Sequence, residues 1–201
     1  MGLTLVTPPS ELPVTLEEVK AQLSIQDDDW DAMLTSLIEA ATAHLDGPNG
    51  DLCGRALMSQ TWDYYLDEFP SKGIRVPLPP LISVESVNYV DPTTEMEVTL
   101  SNSEYEVDTS GTPFHGWIAP VNEIWPTPME TVNAVRVRFT AGYPSTGSSP
   151  AETTVPPGIR QAIILLVIDM YGRGSAFVDR TQTSNLVAYE HLIRHHVIRQ
   201  V

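Results

Sequence analysis

The feature that most constrains this chain is a hydrophobic period that changes twice. Apolar residues recur at helical spacing over roughly Thr15–Asp46 and again over roughly Pro157–Gln200, while the stretch between them alternates with period two. A pattern of one period cannot bury its apolar face in the other conformation, so the chain reads as helical opening, strand-rich middle and helical close. No recognisable catalytic motif interrupts this layout, which suits a part that docks to other proteins better than one that performs chemistry.

The first helix is announced by Thr15-Leu16-Glu17-Glu18, in which Thr15 and Glu18 can cap each other's amides and Val14 can staple against Val19. Pro8, Pro9 and Pro13 keep residues 1–13 extended, as an arm. A second helix carries Trp30, Met33, Leu34, Leu37, Ile38, Ala41 and Leu45 on one face, and Asp27-Asp28-Asp29 before it are expected to satisfy its free N-terminal amides. Calcium would need ligands at alternating loop positions, which Trp30 interrupts.

From about Thr61 the alternation begins: Trp62, Tyr64 and Leu66, then Ile74, Val76 and Leu78, and later Val135, Val137 and Phe139. Turn residues at Lys72-Gly73, Asp91-Pro92, Ser101-Asn102 and Ser110-Gly111 divide the region into six or seven short antiparallel strands. Prolines at strand ends and edges block stray pairing. The stretch 144–157 reads as a linker, and Pro156-Pro157 open a third helix whose apolar residues, Ile159 to Met170, cover nearly its whole circumference. A short helix of that kind is a buried central one. The last helix sets Leu186, Tyr189, Leu192 or Ile193, and Val197 on one side.

The net charge of −15 is unevenly placed. From Pro156 onward five Lys/Arg face three acids, whereas the first 155 residues hold 23 acids and six bases. So acidic a body repels phosphate, and sequence-reading of DNA by a basic groove is not expected. Acid suits either a surface that nucleic acid slides past or simple solubility. Cys53 stands alone, so neither an intrachain disulfide nor a Cys-based zinc cluster is open to the chain. The start at Met1-Gly2-Leu3-Thr4 lacks the marks of a signal peptide, and the longest strongly apolar run, Ala162–Ile168, is far below the ~20 residues that span a bilayer. A soluble protein made in a cytoplasm, with no membrane association, is expected.

His191 and His195 have the i, i+4 spacing of a zinc pair, with His196 adjacent, but the glutamate of an HExxH motif and a third ligand are missing. A polar or mildly basic docking face is the expected reading, with no metal and no cofactor. There is no nucleophile elbow and no phosphate loop, so no enzyme is expected. Trp117 and Trp125, with Phe114, fall in a Pro-interrupted loop at 112–128, where large aromatics act either as packing lids or as interface anchors.

These residues together resemble a known family. Leu16-Glu17-Glu18-Val19-Lys20-Ala21-Gln22-Leu23, Gly54-Arg55-Ala56-Leu57, Gln60-Thr61-Trp62, Val76-Pro77-Leu78-Pro79-Pro80, Gly142-Tyr143-Pro144 and Val155-Pro156-Pro157-Gly158-Ile159 occur in an order and spacing similar to the head–tail connector (adaptor) proteins of long-tailed bacteriophages and gene transfer agents. The resemblance implies an α+β fold: a helical core of three to four helices from 1–60 and 144–201, carrying an inserted antiparallel β domain at 61–143. It further implies a non-enzymatic virion protein at the head–tail junction, made in the bacterial host cytoplasm. Such proteins form a homo-oligomeric ring, commonly of twelve subunits, between the portal and the stopper or tail-completion protein, and DNA passes through without sequence-specific binding. Portal docking carries over onto Leu186–Val201, with Leu186, Tyr189, Leu192, Ile193, His196 and Val197 as its residues. A binding module for carbohydrate or peptide, using Trp117 and Trp125, is the alternative reading.

Overall fold

The computed structural model describes residues 2–52, 54–110, 115–122, 124–145, 154–174 and 182–198; the side chains of 173–174 and 182–186 fall outside that description. Cys53 and Phe114 therefore lie outside the described residues. The fold is α+β, with four helices and two antiparallel sheets among the described residues. The chain divides into two compact units, one made of Met1–Pro9 with Ser59–Pro144 and the other of Ser10–Met58 with Ser145–Val201.

The β unit holds a five-stranded sheet in the order β1(Gly2–Thr7), β2(Gln60–Leu66), β8(Val135–Ala141), β4(Leu81–Val90), β5(Glu97–Thr99). A three-stranded sheet runs β3(Ile74–Arg75), β7(Trp117–Pro120), β6(Tyr105–Asp108). The alternation places Val135, Val137, Phe139 and Ala141 of β8 in the core, paired across β2 through Trp62↔Phe139 and Tyr64↔Val137.

The intervening residues of the same strands form a polar face. Arg138 grips the nearly buried Asp63 with two hydrogen bonds, Nε at 2.8 Å and Nη2 at 2.7 Å, and Arg136 reaches Asp63 at 3.5 Å and Glu97 at 2.8 Å. Two departures from the sequence expectation concern strands. The N-terminal arm is the edge strand β1, because its prolines begin only at Pro8 and leave Gly2–Thr7 free to hydrogen-bond to β2. The loop expected at 112–128 contains β7, whose Pro120 sits at a strand end. Gly116 precedes it, where a Cβ would collide with the Leu81 side chain.

The helical unit holds α1(Leu16–Leu23), α2(Asp31–Leu45), α3(Pro157–Gly174) and α4(Gln182–Ile193). The capping box of α1 is formed: the Glu18 amide donates to Thr15 Oγ1 at 3.2 Å, and the Thr15 amide to Glu18 Oε2 at 2.9 Å. Helix α2 is started differently from expectation. Its N-cap is Trp30, with no side-chain cap. Asp28 and Asp31 instead both accept from Lys20 Nζ, at 2.8 and 2.7 Å, because an ammonium with three donors outcompetes a neutral amide for a carboxylate. That clamp ties the last turn of α1 to the start of α2, and both hydrogen bonds push the lysine pKa upward.

Ile159, Ala162, Ile163 and Val167 of α3 are fully buried, and helices α1, α2 and α4 all contact α3. Leu165, Leu166, Ile168, Met170 and Tyr171 stay half-buried, so a helix that is apolar all round is covered on only part of its circumference within the chain. Arg160 joins α3 to the start of α1 by donating to Pro13 O at 3.1 Å and pairing with Glu18.

The Arg138 pair holds the Asp63 carboxyl below its usual range, against the opposing effect of burial. A group with a depressed folded pKa stabilises the fold above its unfolded value and loses that contribution as pH falls toward the folded one. Asp63→Asn should therefore cost about 2 kcal/mol near neutral pH, and the gap to the parent should shrink below about pH 4. Urea titrations across pH check this; a gap that stays constant would contradict it.

Candidate functional site

For a chain in which no catalytic motif is legible, the question is which described side chains can meet a partner. Helix α4 and the turn after it answer for the C-terminal end. Tyr189 is buried, and its hydroxyl donates to Asp51 Oδ2 at 2.7 Å. Burial, followed by that hydrogen bond, pushes the phenol pKa far up. Ile193 is buried too, and beyond it the Ile198 amide donates to Leu52 O at 3.2 Å. These two residues, expected at a docking face, serve their own chain's core: an amphipathic helix turns its apolar stripe inward first.

Leu192, His196 and Val197 are half-buried and remain accessible, whereas the Leu186 side chain lies outside the described residues. The His196 ring lies against Gly158 in the first turn of α3, where an added Cβ would come within 3.1 Å of Nε2. Burial, then the charges of Arg55 and His195, lower the His196 pKa. His196 is thus held toward its neutral form. Arg55 is itself buried and donates through Nε to the His196 carbonyl at 3.2 Å. The opposite side of α4 is open: Val187, His191, Arg194 and His195 are all exposed. Among the described residues no group of three His, Cys, Asp or Glu side chains could hold a metal ion.

The two loop tryptophans play separate parts. Trp117 opens β7, and its indole stands where a Cβ on Gly73 would fall, 2.7 Å from Nε1; Gly73 has a φ of +110°, so glycine serves both turn and packing there. Trp125 stacks on Phe69 with ring centroids 4.7 Å apart and planes 8° from parallel. It borders a cleft of about 330 Å³, and Asp67, Glu68, Pro128, Met129 and Glu130 line a larger one of about 610 Å³. One ring is a lid on a turn and the other is half of a stack. Trp117 is 37% exposed, and Trp125 borders its cleft from within the stack.

A surface absent from the sequence expectation lies at the start of α2. Trp30 and Met33, placed there on the apolar face of the second helix, are 45% and 39% exposed. Trp30 meets Tyr171 of α3 edge-on, with centroids 6.3 Å apart. Asp27, Asp28 and Asp29 are exposed beside it. The available signal was the large aromatic at the very first position of the stripe, where a helix begins and its neighbours thin out.

Replacing Tyr189 by Phe should lower stability by about 1 kcal/mol through the lost hydrogen bond to Asp51. Tyr189→Asp should unfold the helical unit instead of producing a folded chain with a damaged surface. Circular dichroism melts distinguish the two, and a folded Tyr189→Asp protein with parental melting would contradict the assignment of Tyr189 to the core.

Comparison with known proteins agrees with this architecture. Residues 13–112 match the model of the family described as Phage gp6-like head-tail connector protein. A chain from the structure described as "Neck of empty GTA particle computed with C6 symmetry" aligns with a TM-score of 0.72 at 22% identity, over 100% of this chain and 97% of that one. No curated protein matches. Over residues 13–112, through the capped first helix, the second helix and the early strands, the chain belongs to the Phage gp6-like head-tail connector family.

Proposed function

We infer that this chain is a virion head–tail connector, an adaptor whose copies form a ring joining the portal to the stopper or tail. The family match over residues 13–112 carries this reading, and the shared fold with a neck component supports it. That neck was computed with six-fold symmetry, which suits a ring of six or twelve copies; twelve is the number proposed here. The protein is made in the host cytoplasm and ends in the particle, where it binds and positions without catalysing a reaction.

The electrostatics agree with such a place. With a net charge of −15 per subunit, the ring is strongly acidic, and a genome moving through it meets repulsion instead of phosphate-binding lysines. The helical unit, Ser10–Met58 with Ser145–Val201, serves assembly in this reading. Portal docking falls to the accessible members of the C-terminal set, Leu192, His196 and Val197, with the residues that follow them. Tyr189 and Ile193 support that surface from beneath.

Removing the gene should leave DNA-filled heads and complete tails that fail to join, countable by electron microscopy of the lysate. Joined particles at parental numbers would refute the connector role. Val197→Asp should weaken co-sedimentation with purified portal about tenfold while leaving the melting curve close to the parent's, since a charge buried without a partner is costly at a contact. Unchanged portal binding would move the docking surface elsewhere.

A further inference from the structure

We propose that the ring closes through two different faces of the helical unit: the start of α2 in one copy, Trp30 and Met33 beside Asp27–Asp29, seats on the outer side of α4 in the next, Val187, His191, Arg194 and His195. The proposal rests on the ring reading above and names the surfaces that make it.

Three observations carry it. The first is apolar exposure that coheres. Single exposed apolar side chains are ordinary, but Trp30 and Met33 stand one turn apart, and Trp30 leans on the half-buried Tyr171 of α3. Tryptophan is among the residue types enriched where an interface carries most of its binding energy. The second is the form of α4. Val187, His191, Arg194 and His195 fall at i, i+4, i+7 and i+8, and the hydrogen bond from the Arg194 amide to Glu190 O, at 3.1 Å, keeps the helical turn going past Ile193. That side presents one exposed valine, 54% accessible, among an arginine and two histidines, with Glu190 as the acid on its shoulder.

The third observation is complementarity. Acid flanks the apolar anchor on one face and the Arg194 guanidinium stands near the exposed valine on the other, so the two attract while the acidic face repels its own kind. A self-complementary pairing would set Asp27–Asp29 against a second copy of themselves. A cyclic ring instead requires one patch to meet a different one on its neighbour, and these two faces satisfy that requirement. Both belong to the helical unit, and the face closing the ring is distinct from the Leu192–His196–Val197 side left to the portal.

Photocrosslinking in assembled particles tests this. A full-length chain with Met33 replaced by benzoylphenylalanine should, on irradiation, yield a dimer of this chain whose linked peptide includes residues 187–198. A crosslink to a different protein, a dimer linked through another segment, or no crosslink at all would overturn the proposal while leaving the connector role intact. Absence of the chain from particles would instead overturn the connector role. A charge exchange provides the second arm. Asp27→Arg with Asp29→Arg, or Arg194→Glu with His191→Glu, should each raise the subunit concentration needed for ring formation by about tenfold, and combining both pairs should recover most of that loss. Losses that simply add in the combined variant would rule out direct contact between the faces.

Discussion

Helix α3 is the constraint on which the rest of the helical unit depends. Eighteen residues with apolar side chains on nearly every side cannot stand in water, and Ile159, Ile163 and Val167 reach zero or near-zero exposure only because three other helices converge on them. The polar bonds of the unit serve that convergence. Arg160 ties α3 to the start of α1, the Lys20 clamp holds α1 to α2, and the Tyr189 hydroxyl anchors α4 to the segment after α2 through Asp51. Each places a charged or phenolic tip at the end of a side chain whose body fills the core margin. The side of α3 left half-covered, together with Trp30 and Met33 beside it, is apolar surface that stays accessible among the described residues.

In the β unit the governing arrangement is the central position of β8 between β2 and β4. Its alternation divides the sheet cleanly, with valines and phenylalanine inward and Arg136, Arg138 and Thr140 on the other face. Those outward residues are not simply solvated. Asp63, Glu97 and Glu85 reach them across neighbouring strands, at 2.7 to 2.9 Å, so that positive charge in an acidic unit is neutralised in place. Such a face offers no bare lysine or arginine cluster for a phosphate backbone to grip.

Much of this was legible in the sequence, and the parts that were not share a cause. Periodicity identified the four helices of the described residues and the strands carrying Trp62 and Val135, because each buries a continuous stripe or face. Thr15 and Glu18 marked the first helix correctly, since a capping box is a local device. Strand β1 escaped because a six-residue segment at the start of a chain shows its partner only through pairing with β2, some sixty residues away. The role of Asp28 escaped likewise: its partner, Lys20, sits on another helix, and carboxylates before a helix read locally as caps. The same limit applied to function. A stripe at i, i+3, i+4 spacing says which residues share a side, but not that Tyr189 and Ile193 would be absorbed by their own core while Trp30 and Met33 would be left outside. Family resemblance filled the gap that local chemistry left, and it named the head–tail junction where no motif could.

The central claim is that the faces of this chain are shaped to seat against neighbouring particle subunits. The most direct measurement is a reconstruction of the neck of particles carrying this protein, at a resolution that traces side chains. The account predicts a closed ring of copies between portal and tail, with Trp30 at a subunit boundary and Tyr189 inside each copy. Density for the chain anywhere other than the head–tail junction, or a ring in which Trp30 faces solvent, would contradict it.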